Sequence, residues 1–285
     1  VQTANERFTQ KIKKDYALHQ FKRLAPLLYD LRMVKSDIEI DLIKEACRIT
    51  ELGFRAVLPF VRPDIWEFEV EAEYSYHFLR NRATGFAYEP IIAGGSNTCV
   101  LHYTMNNQKL KSGDLLLMDV GANYGNYNAD ITRTIPINGK FSARQKQVYN
   151  AVLRVKNGAT NLLRPGCLIS EYHLKVGEMM TEELLTLGLL TQKEVKKQDS
   201  KWPAYKKYFM HGTSHHLGLD VHDVGITNKK VAAGMVFTVE PGIYLPEEGF
   251  GIRLEDDILI AENENINLME DIPIEIEEIE DLMNQ

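Results

Sequence analysis

Cysteine is scarce in this sequence, and long apolar runs are absent. The three cysteines, Cys47, Cys99 and Cys167, are odd in number and far apart, which is typical of free thiols in a reducing compartment and not of a disulfide framework. The longest apolar runs, such as residues 115–118, are far shorter than the ~18 residues that a membrane-spanning helix needs. The N-terminal residues also lack the apolar segment of an export signal. The sequence therefore predicts a cytoplasmic protein that does not enter a membrane.

Charge of one sign is not in large excess either. The 285 residues include 33 Lys and Arg against 40 Asp and Glu, which gives a formal net charge of −7. No basic stripe marks a surface for nucleic acid. Hydrophobic residues make up 44% of the chain, and a chain of this length can bury one large core or two smaller ones. We therefore expect a globular protein that needs no disulfide for stability and has no nucleic-acid partner.

The order of the expected helices is repeated along the chain. Capping boxes begin long amphipathic helices at Ser36 and Ser142, and a second helix is expected to begin at Asp64 and again at Ser170. Pro59 and Pro63 are expected to end the first helix. Corresponding starts are separated by the same 106 residues, from 36 to 142 and from 64 to 170. This spacing predicts an internal duplication into two α+β halves related by a pseudo-twofold axis.

Each half is expected to contribute strands that face each other across a cleft. Apolar runs bounded by turns predict strands at 115–120 and 127–136 in the first half. Strand-rich stretches at 235–244 and 250–260 are expected in the second half. The predicted fold class is therefore α+β, with duplicated helix-helix-strand halves around a curved antiparallel sheet.

The first 33 residues differ from the rest of the chain. They are polar and rich in lysine, and apolar residues recur at helical spacing between Leu18 and Leu28, which favours a surface helix. The sequence begins at Val1 without an initiator Met. We therefore expect a lead-in helix or linker at 1–33, a main domain at 34–285, and an upstream domain that is missing from this sequence.

Four carboxylates occupy strands from which charge is normally excluded. Asp119 and Glu240 each end an apolar strand, while Asp130 and Glu255 lie on the strands expected to pair with them. Carboxylates on adjacent buried strands repel each other unless a cation lies between them. Alternation along residues 251–257 places Arg253 on the same face as Glu255. The pattern favours a cation site over a set of isolated turns or surface ion pairs.

Histidines are concentrated near those acids in the sequence. Residues 211–223 contain four of the eight, His211, His215, His216 and His222, while His102 stands alone. The two-histidine zinc helix pattern is absent. One histidine with four carboxylates is an oxygen-dominated donor set, which suits a pair of Mn²⁺, Co²⁺ or Mg²⁺ ions better than a structural zinc.

These residues resemble the pita-bread metallopeptidases, and among them the Xaa-Pro aminopeptidases (aminopeptidase P). The segments that carry the resemblance appear in the family's order within roughly residues 34–262. They are Leu101–Tyr103, Met118–Gly121, Asp130–Thr134, His211–Gly218, Val221–Asp223, Val239–Gly242 and Gly251–Asp257. The resemblance implies the pita-bread fold for the catalytic domain at 34–285.

The resemblance also implies a role for each site residue. The implied metal ligands, of which Asp130 and Glu255 bridge two ions, are Asp119, Asp130, His215, Glu240 and Glu255. Glu240 is expected to accept a proton as well, and His102 and His222 to contact the scissile amide and its developing oxyanion. His211 is expected to line the proline pocket, and Arg253 to orient Asp119. His216 stands where some relatives have an apolar or aromatic residue, and we do not expect it to be a ligand.

The implied activity is hydrolysis of the N-terminal Xaa-Pro bond of peptides by water that two divalent metal ions activate. Mn²⁺ is the expected metal, with Co²⁺ or Zn²⁺ as alternatives, and the expected partners are peptides with proline in the second position. A homodimer is an open alternative for the assembly. Two other functions stay open, a prolidase that cleaves only Xaa-Pro dipeptides and a non-catalytic binding module that has lost its metals.

Overall fold

Helices and strands alternate in blocks along the chain. The structure is a computed structural model that describes residues 2–226 and 228–285. The helices are α1 (Ala4–Asp15), α2 (Ala25–Met33), α3 (Asp37–Phe60), α4 (Glu67–Arg80), α5 (Ala143–Leu162), α6 (Ile169–Thr186), α7 (Gln192–Lys196) and α8 (Ile276–Met283). The strands are β1 (Gly85–Phe86), β2 (Ile91–Gly94), β3 (Leu115–Val120), β4 (Ala122–Tyr124), β5 (Tyr127–Asn128), β6 (Ile131–Pro136), β7 (Val236–Val239), β8 (Gly242–Leu245), β9 (Phe250–Arg253), β10 (Asp256–Leu259) and β11 (Ile266–Asn267).

Both predicted capping boxes are present and begin the two long helices. The Ser36 amide donates to Glu39 Oε2 at 2.8 Å, and the Ser142 amide donates to Gln145 Oε1 at 2.7 Å. Each box satisfies amides that the first turn of a helix leaves unpaired. Helix α3 then packs against α4, and α5 packs against α6. The predicted repetition of helix pairs is therefore confirmed.

Three helix boundaries differ from the sequence-based expectation. Helix α3 continues through Pro59 to Phe60. Asp64 does not cap α4, because it lies in a left-handed turn (φ 75°) and its amide donates to the Leu110 carbonyl at 2.9 Å. Helix α4 begins at Glu67 instead. Ser170 lies inside the first turn of α6, which begins one residue earlier, at Ile169. Tertiary contacts, and not local capping preference, thus set these boundaries.

The lead-in segment forms two helices instead of the one expected over residues 18–28. Helices α1 and α2 flank residues 16–24, and Leu18 is 99% exposed. Met33 is the buried residue of α2. Ion pairs join the end of this segment to the later part of the chain, from Arg32 to Asp223 and from Asp30 to Lys229. The lead-in therefore contacts the loop that follows residue 217.

The strands form two similar three-stranded arrangements. In the first, β3 pairs with β2 and β6, and in the second, β10 pairs with β7 and β11; all four pairings are antiparallel. The expected strand at 127–136 is interrupted, since β5 joins a separate small sheet with β4. The two arrangements meet where the Glu255 amide donates to the Thr132 carbonyl at 3.0 Å. The strands of the two halves thus face each other, as the sequence predicts.

One continuous apolar core lies between the helix pairs and the strands. It includes Ile49 and Phe54 of α3, Val152 of α5, and Leu116 and Ile258 from the two sheets. No helix in the described ranges, 2–226 and 228–285, is both long and apolar enough to cross a bilayer.

A buried ion-pair cluster joins β6, α5 and β10. Asp256 Oδ1 accepts from Arg133 Nη2 at 2.7 Å, and Lys156 contacts the other oxygen of the same carboxylate. Burial alone would raise the pKa of Asp256, but Arg133 and Lys156 lower it below its ordinary value. The stabilisation that this cluster gives is therefore present at neutral pH and is lost as the pH falls through that lowered pKa.

We expect Asp256→Asn to lower the free energy of unfolding by about 3–5 kcal/mol at neutral pH, because two buried cations lose their anion. Urea denaturation of the metal-free protein measures this change. The matched control is Glu248→Gln, which removes the half-exposed partner of Arg144 and should cost about 0–1 kcal/mol. Equal losses in the two variants would contradict the structural role of the buried cluster.

Candidate metal centre

Four carboxylates converge in one cleft of about 710 Å³. Asp119 is the last residue but one of β3, and Asp130 directly precedes β6. In the second arrangement, Glu240 directly follows β7 and Glu255 directly precedes β10. The carboxylates therefore occupy corresponding ends of two antiparallel strand pairs. The duplication predicted from the sequence gives this site its symmetry.

Close approach of the backbone brings the two acids of the first strand pair together. A Cβ atom on Gly121 would lie 1.7 Å from the carbonyl oxygen of Ala129, so a side chain at this position would force the strands apart. Gly121 lies between Asp119 and Asp130 along the chain, at the turn where β3 ends. Glycine at this position is therefore a structural requirement of the site.

His215 directs one ring nitrogen at the carboxylates. Its Nε2 lies 3.5 Å from Asp130 Oδ2 and 3.6 Å from Glu240 Oε1, while its Nδ1 lies 3.0 Å from the carbonyl oxygen of His216. Donation from Nδ1 to that carbonyl leaves the Nε2 lone pair facing the acids, which is the tautomer of a metal-binding histidine. Ligand atoms of Asp130, His215 and Glu255 all lie within 4.8 Å of one another.

The site holds more negative charge than its protein surroundings neutralise. Burial, together with the neighbouring carboxylates, raises the pKa of Glu255 well above its ordinary value and that of Glu240 to about 7. Burial also raises the pKa of Asp119, although Arg253 opposes that shift. Burial disfavours charge on His215 as well, yet Asp130 and Glu240 raise its pKa to about 9. Each shift shows that added positive charge would stabilise the ionised acids.

A set of hydrogen bonds fixes the orientation of these acids. Arg253 Nη2 contacts Asp119, and Arg253 Nε donates to Thr132 Oγ1 at 2.9 Å. Thr132 in turn donates to Glu255 Oε2 at 2.6 Å. The Tyr88 hydroxyl lies 2.6 Å from Asp119 Oδ1 and 2.5 Å from Asp130 Oδ1. Such partners hold carboxylate ligands in place at metal sites.

Comparison with known proteins identifies the family. The sequence family described as metallopeptidase family M24 matches residues 41–262. The Xaa-Pro aminopeptidase of Haemophilus influenzae is 41% identical over 274 residues, which cover 91% of this chain and 63% of that protein. The chain belongs to metallopeptidase family M24.

Solved structures of similar proteins agree with this assignment. A putative aminopeptidase P from Bacillus anthracis has a TM-score of 0.92 and 38% identity, over 100% of this chain and 66% of that one. Zinc-substituted aminopeptidase P of Escherichia coli in complex with product has a TM-score of 0.86 and 39% identity, over 92% and 62%. The predicted pita-bread fold is therefore confirmed. This chain spans roughly three fifths to two thirds of the length of these relatives.

The donor set fits the divalent metal ions that an M24 metallopeptidase implies. Asp119, Asp130, Glu240, Glu255 and His215 line the cleft together, and ligand atoms of two of these acids and His215 lie within 4.8 Å of one another. Hard divalent cations prefer such an oxygen-rich set. The raised pKa values of Glu240 and Glu255 show that the acids lack positive charge that metal ions would provide.

The structure brings all nine residues singled out from the sequence to the same cleft. These residues are His102, Asp119, Asp130, His211, His215, His222, Glu240, Arg253 and Glu255. His216 does not join them, and its ring packs on Phe237 with the centroids 4.2 Å apart. Thr213 is buried and does not line the cleft.

The three remaining histidines differ in their contacts. The His211 Nε2 lies 2.8 Å from the Tyr244 hydroxyl, and burial and Arg253 lower the pKa of His211 to about 3, so the ring is neutral at physiological pH. The His222 ring lies 4.3 Å from the His215 ring between centroids. Burial and His215 lower the pKa of His222. His102 and His222 are both exposed and line the cleft.

Several supporting residues were not predicted from the sequence. Thr132 and Asp257 each lie two residues after an acid of the site, and Asp257 Oδ2 accepts from the Asp130 amide at 2.9 Å. Alternation along a strand places residues two apart on one face, so a signal for both existed. Tyr88 and Tyr244 reach the site from a loop before β2 and from β8. Nothing in their local sequence marks them.

We expect Asp130→Asn to lose at least one metal ion per chain, together with any metal-dependent activity, because this carboxylate lies between His215 and Asp119 and an amide oxygen binds cations more weakly. Elemental analysis after dialysis measures the metal content. The matched control is Asp220→Asn, since Asp220 lines the same cleft but pairs with Arg32, and it should keep the full content. Full metal occupancy in Asp130→Asn would rule out a ligand role.

Proposed function

We propose that this chain is the catalytic part of a metal-dependent aminopeptidase that hydrolyses the N-terminal Xaa-Pro bond of peptides. The observation that carries the proposal is the convergence of five metal-ligand side chains with His102, His211, His222 and Arg253 in a single cleft. Similarity to the Xaa-Pro aminopeptidase of Haemophilus influenzae supports the same substrate class. The match covers 63% of that protein, so the assignment of its activity to this chain is a proposal.

The proposed ligands are Asp119, Asp130, His215, Glu240 and Glu255, with Asp130 and Glu255 shared between two ions. Two divalent ions would supply Lewis acidity, which acidifies water and polarises a carbonyl group. We propose Mn²⁺ as the metal, because four of the five donors are carboxylates. Co²⁺ and Zn²⁺ are the alternatives, and the zinc-substituted structure from Escherichia coli supports keeping zinc among them.

The proposal assigns proton transfer to Glu240. Its Oε1 lies 3.6 Å from His215 Nε2, whereas its Oε2 lies 3.5 Å from His211 Nδ1. The two oxygens thus have different neighbours, and a carboxylate in this position can accept a proton from the attacking water and return it to the leaving nitrogen. Arg253 acts through Asp119, whose carboxylate it contacts.

His222 and His102 are proposed to stabilise charge on the substrate. Both line the cleft, and the His222 ring lies 4.3 Å from the His215 ring between centroids. An imidazole there can donate a hydrogen bond to a developing oxyanion, which favours the transition state over the substrate. Neither residue is needed to bind metal in this assignment.

The shape and charge of the cleft favour an aminopeptidase over a dipeptidase. A dipeptidase must bind the free carboxylate of its substrate, typically with an Arg side chain in a bidentate pair. Of the described residues that line the cleft, Arg253 alone carries a permanent positive charge, and it already contacts Asp119, Thr132 and Tyr244. The proline ring is proposed to lie beside His211 and Gly212, which both line the cleft.

The proposal also includes a cytoplasmic location. Cys47, Cys99 and Cys167 are all free in the structure, as is typical of proteins in a reducing compartment.

We expect the metal-loaded protein to cleave Xaa-Pro-Yaa tripeptides with a kcat/KM well above that for Xaa-Pro dipeptides, because none of the described side chains that line the cleft offers a free cation to the dipeptide carboxylate. Assays of both peptides after chelation and reloading with Mn²⁺, Co²⁺ or Zn²⁺ in turn measure the difference. Preference for the dipeptide would support a prolidase. Cleavage of neither peptide by protein with full metal content would support a binding module.

We expect His222→Ala to keep its metal ions but to lose about 10²-fold or more in kcat, as is typical for removal of an oxyanion donor. Elemental analysis and kinetics on the same preparation separate the two effects. The control is His216→Ala, since His216 neighbours His215 but packs away from the cleft. Loss of metal from His222→Ala would make His222 a ligand instead.

A further inference from the structure

A loop without regular structure carries His102 to the cleft. Residues 100–107 form neither helix nor strand, yet Leu101, His102 and Thr104 all line the cleft. Because His102 is exposed, its own packing does not determine where the imidazole lies. The position of His102 therefore depends on what holds the two ends of the loop.

A single buried carboxylate, that of Glu67, binds both ends of this loop. Its Oε1 accepts from the Gly94 amide at 2.8 Å and from Asn97 Nδ2 at 3.3 Å, before the loop. Its Oε2 accepts from the Tyr103 hydroxyl and from the Gln108 amide, both at 2.8 Å, within and after the loop. Glu67 itself is fully buried in the first turn of α4. Both carboxylate oxygens of Glu67 therefore bind groups that hold the loop in place.

The backbone at Gly94 packs closely against the Glu67 carboxylate. A Cβ atom on Gly94 would lie 2.8 Å from Leu110 Cδ2 and 3.3 Å from Glu67 Oε1, so the chain approaches the carboxylate as closely as glycine permits. No Lys or Arg in the part of the chain that the structure describes forms an ion pair with Glu67. Hydrogen-bond donors from the loop segment therefore stabilise the buried Glu67 carboxylate. The carboxylate in turn holds the loop in one conformation.

Glu71, one turn later on α4, extends the same attachment. It accepts from Asn106 Nδ2 at 2.8 Å, and Asn106 Oδ1 accepts from the Ile92 amide at 3.0 Å. Residues four apart lie on the same face of a helix. One face of α4 is therefore built to hold the segment that carries His102.

We propose that Glu67 is a positioning residue for the peptidase reaction, which binds both ends of the 100–107 loop and thereby fixes His102 at the cleft. The inference rests on the proposed function for its catalytic part. Neither Glu67 nor Tyr103 lines the cleft, so both act through His102 and not on the substrate. The alternative is that these bonds contribute only to the stability of the fold.

The kinetic test is a double-mutant cycle between Tyr103→Phe and His102→Ala in the metal-loaded protein. Tyr103→Phe removes the bond nearest to His102 and keeps the other three. We expect it to lower kcat roughly tenfold, because misplacement of a substrate-contacting group is costly. In the His102→Ala background the same change should alter kcat less than about twofold, because the residue through which it acts is absent. The same factor in both backgrounds would overturn the proposal.

The control for lost stability is Tyr149→Phe. The Tyr149 hydroxyl donates to the Ile274 carbonyl at 2.7 Å in a buried region away from the cleft. Its removal should lower stability while kcat stays within about twofold of the wild-type value. A tenfold loss of kcat in this variant as well would show that the effect of Tyr103→Phe is not specific and would overturn the proposal.

A second measurement does not depend on activity. Glu67→Gln replaces one acceptor oxygen by a donor, so chymotrypsin should cleave within residues 100–107 roughly tenfold faster than in the wild type, with unchanged metal content. An unchanged cleavage rate would overturn the proposal even if the protein is an active peptidase. If the loop loosens but the wild-type protein cleaves no peptide, the attachment of the loop is supported and the proposed function fails.

Discussion

Repulsion among four carboxylates, two of them buried and two partly buried, is the constraint on which the rest of this structure depends. Asp119, Asp130, Glu240 and Glu255 share one cleft, and among the described residues that line it Arg253 alone carries a guanidinium. Buried like charges are unfavourable unless cations or hydrogen bonds compensate for them. The protein supplies the hydrogen bonds through Tyr88 and Thr132, and the remaining negative charge is what two divalent ions would neutralise. Because these acids are unfavourable for stability without a cation, their presence is explained by function and not by a contribution to the stability of the fold.

The duplicated fold allows the carboxylates to meet. Each half provides one antiparallel strand pair with an acid at or near the end of each strand, and the pairs lie side by side where Glu255 bonds to Thr132. The four carboxylates lie in strands or directly beside them, whereas loops carry His102 and His222. The loop with His102 is held by α4, and the loop with His222 is joined to the lead-in segment through Asp223 and Arg32. Each loop thus has an anchor outside the metal site.

Local patterns predicted several elements, and local patterns together with the family resemblance singled out residues that lie together in the structure. The capping boxes at Ser36 and Ser142 and the strand at 115–120 are present as expected. Acids inside apolar strands signalled the centre, because charge there requires a partner. All nine residues chosen from the sequence line one cleft. A site can be predicted from the local sequence when its charged residues occur in apolar strands, from which charge is normally excluded.

Features that depend on distant parts of the chain could not be predicted. Asp64 resembles a helix cap, but its backbone adopts a left-handed turn and its amide donates to the Leu110 carbonyl. Tyr88 contacts Asp130, which is 42 residues away, and Glu67 contacts Gln108, which is 41 residues away. Such contacts leave no periodic signal in a single sequence.

The most direct test of the central claim is calorimetric titration of the metal-free chain with Mn²⁺, with thermal unfolding before and after. The account predicts two ions bound per chain and a raised Tm; an absence of binding with an unchanged Tm would contradict it.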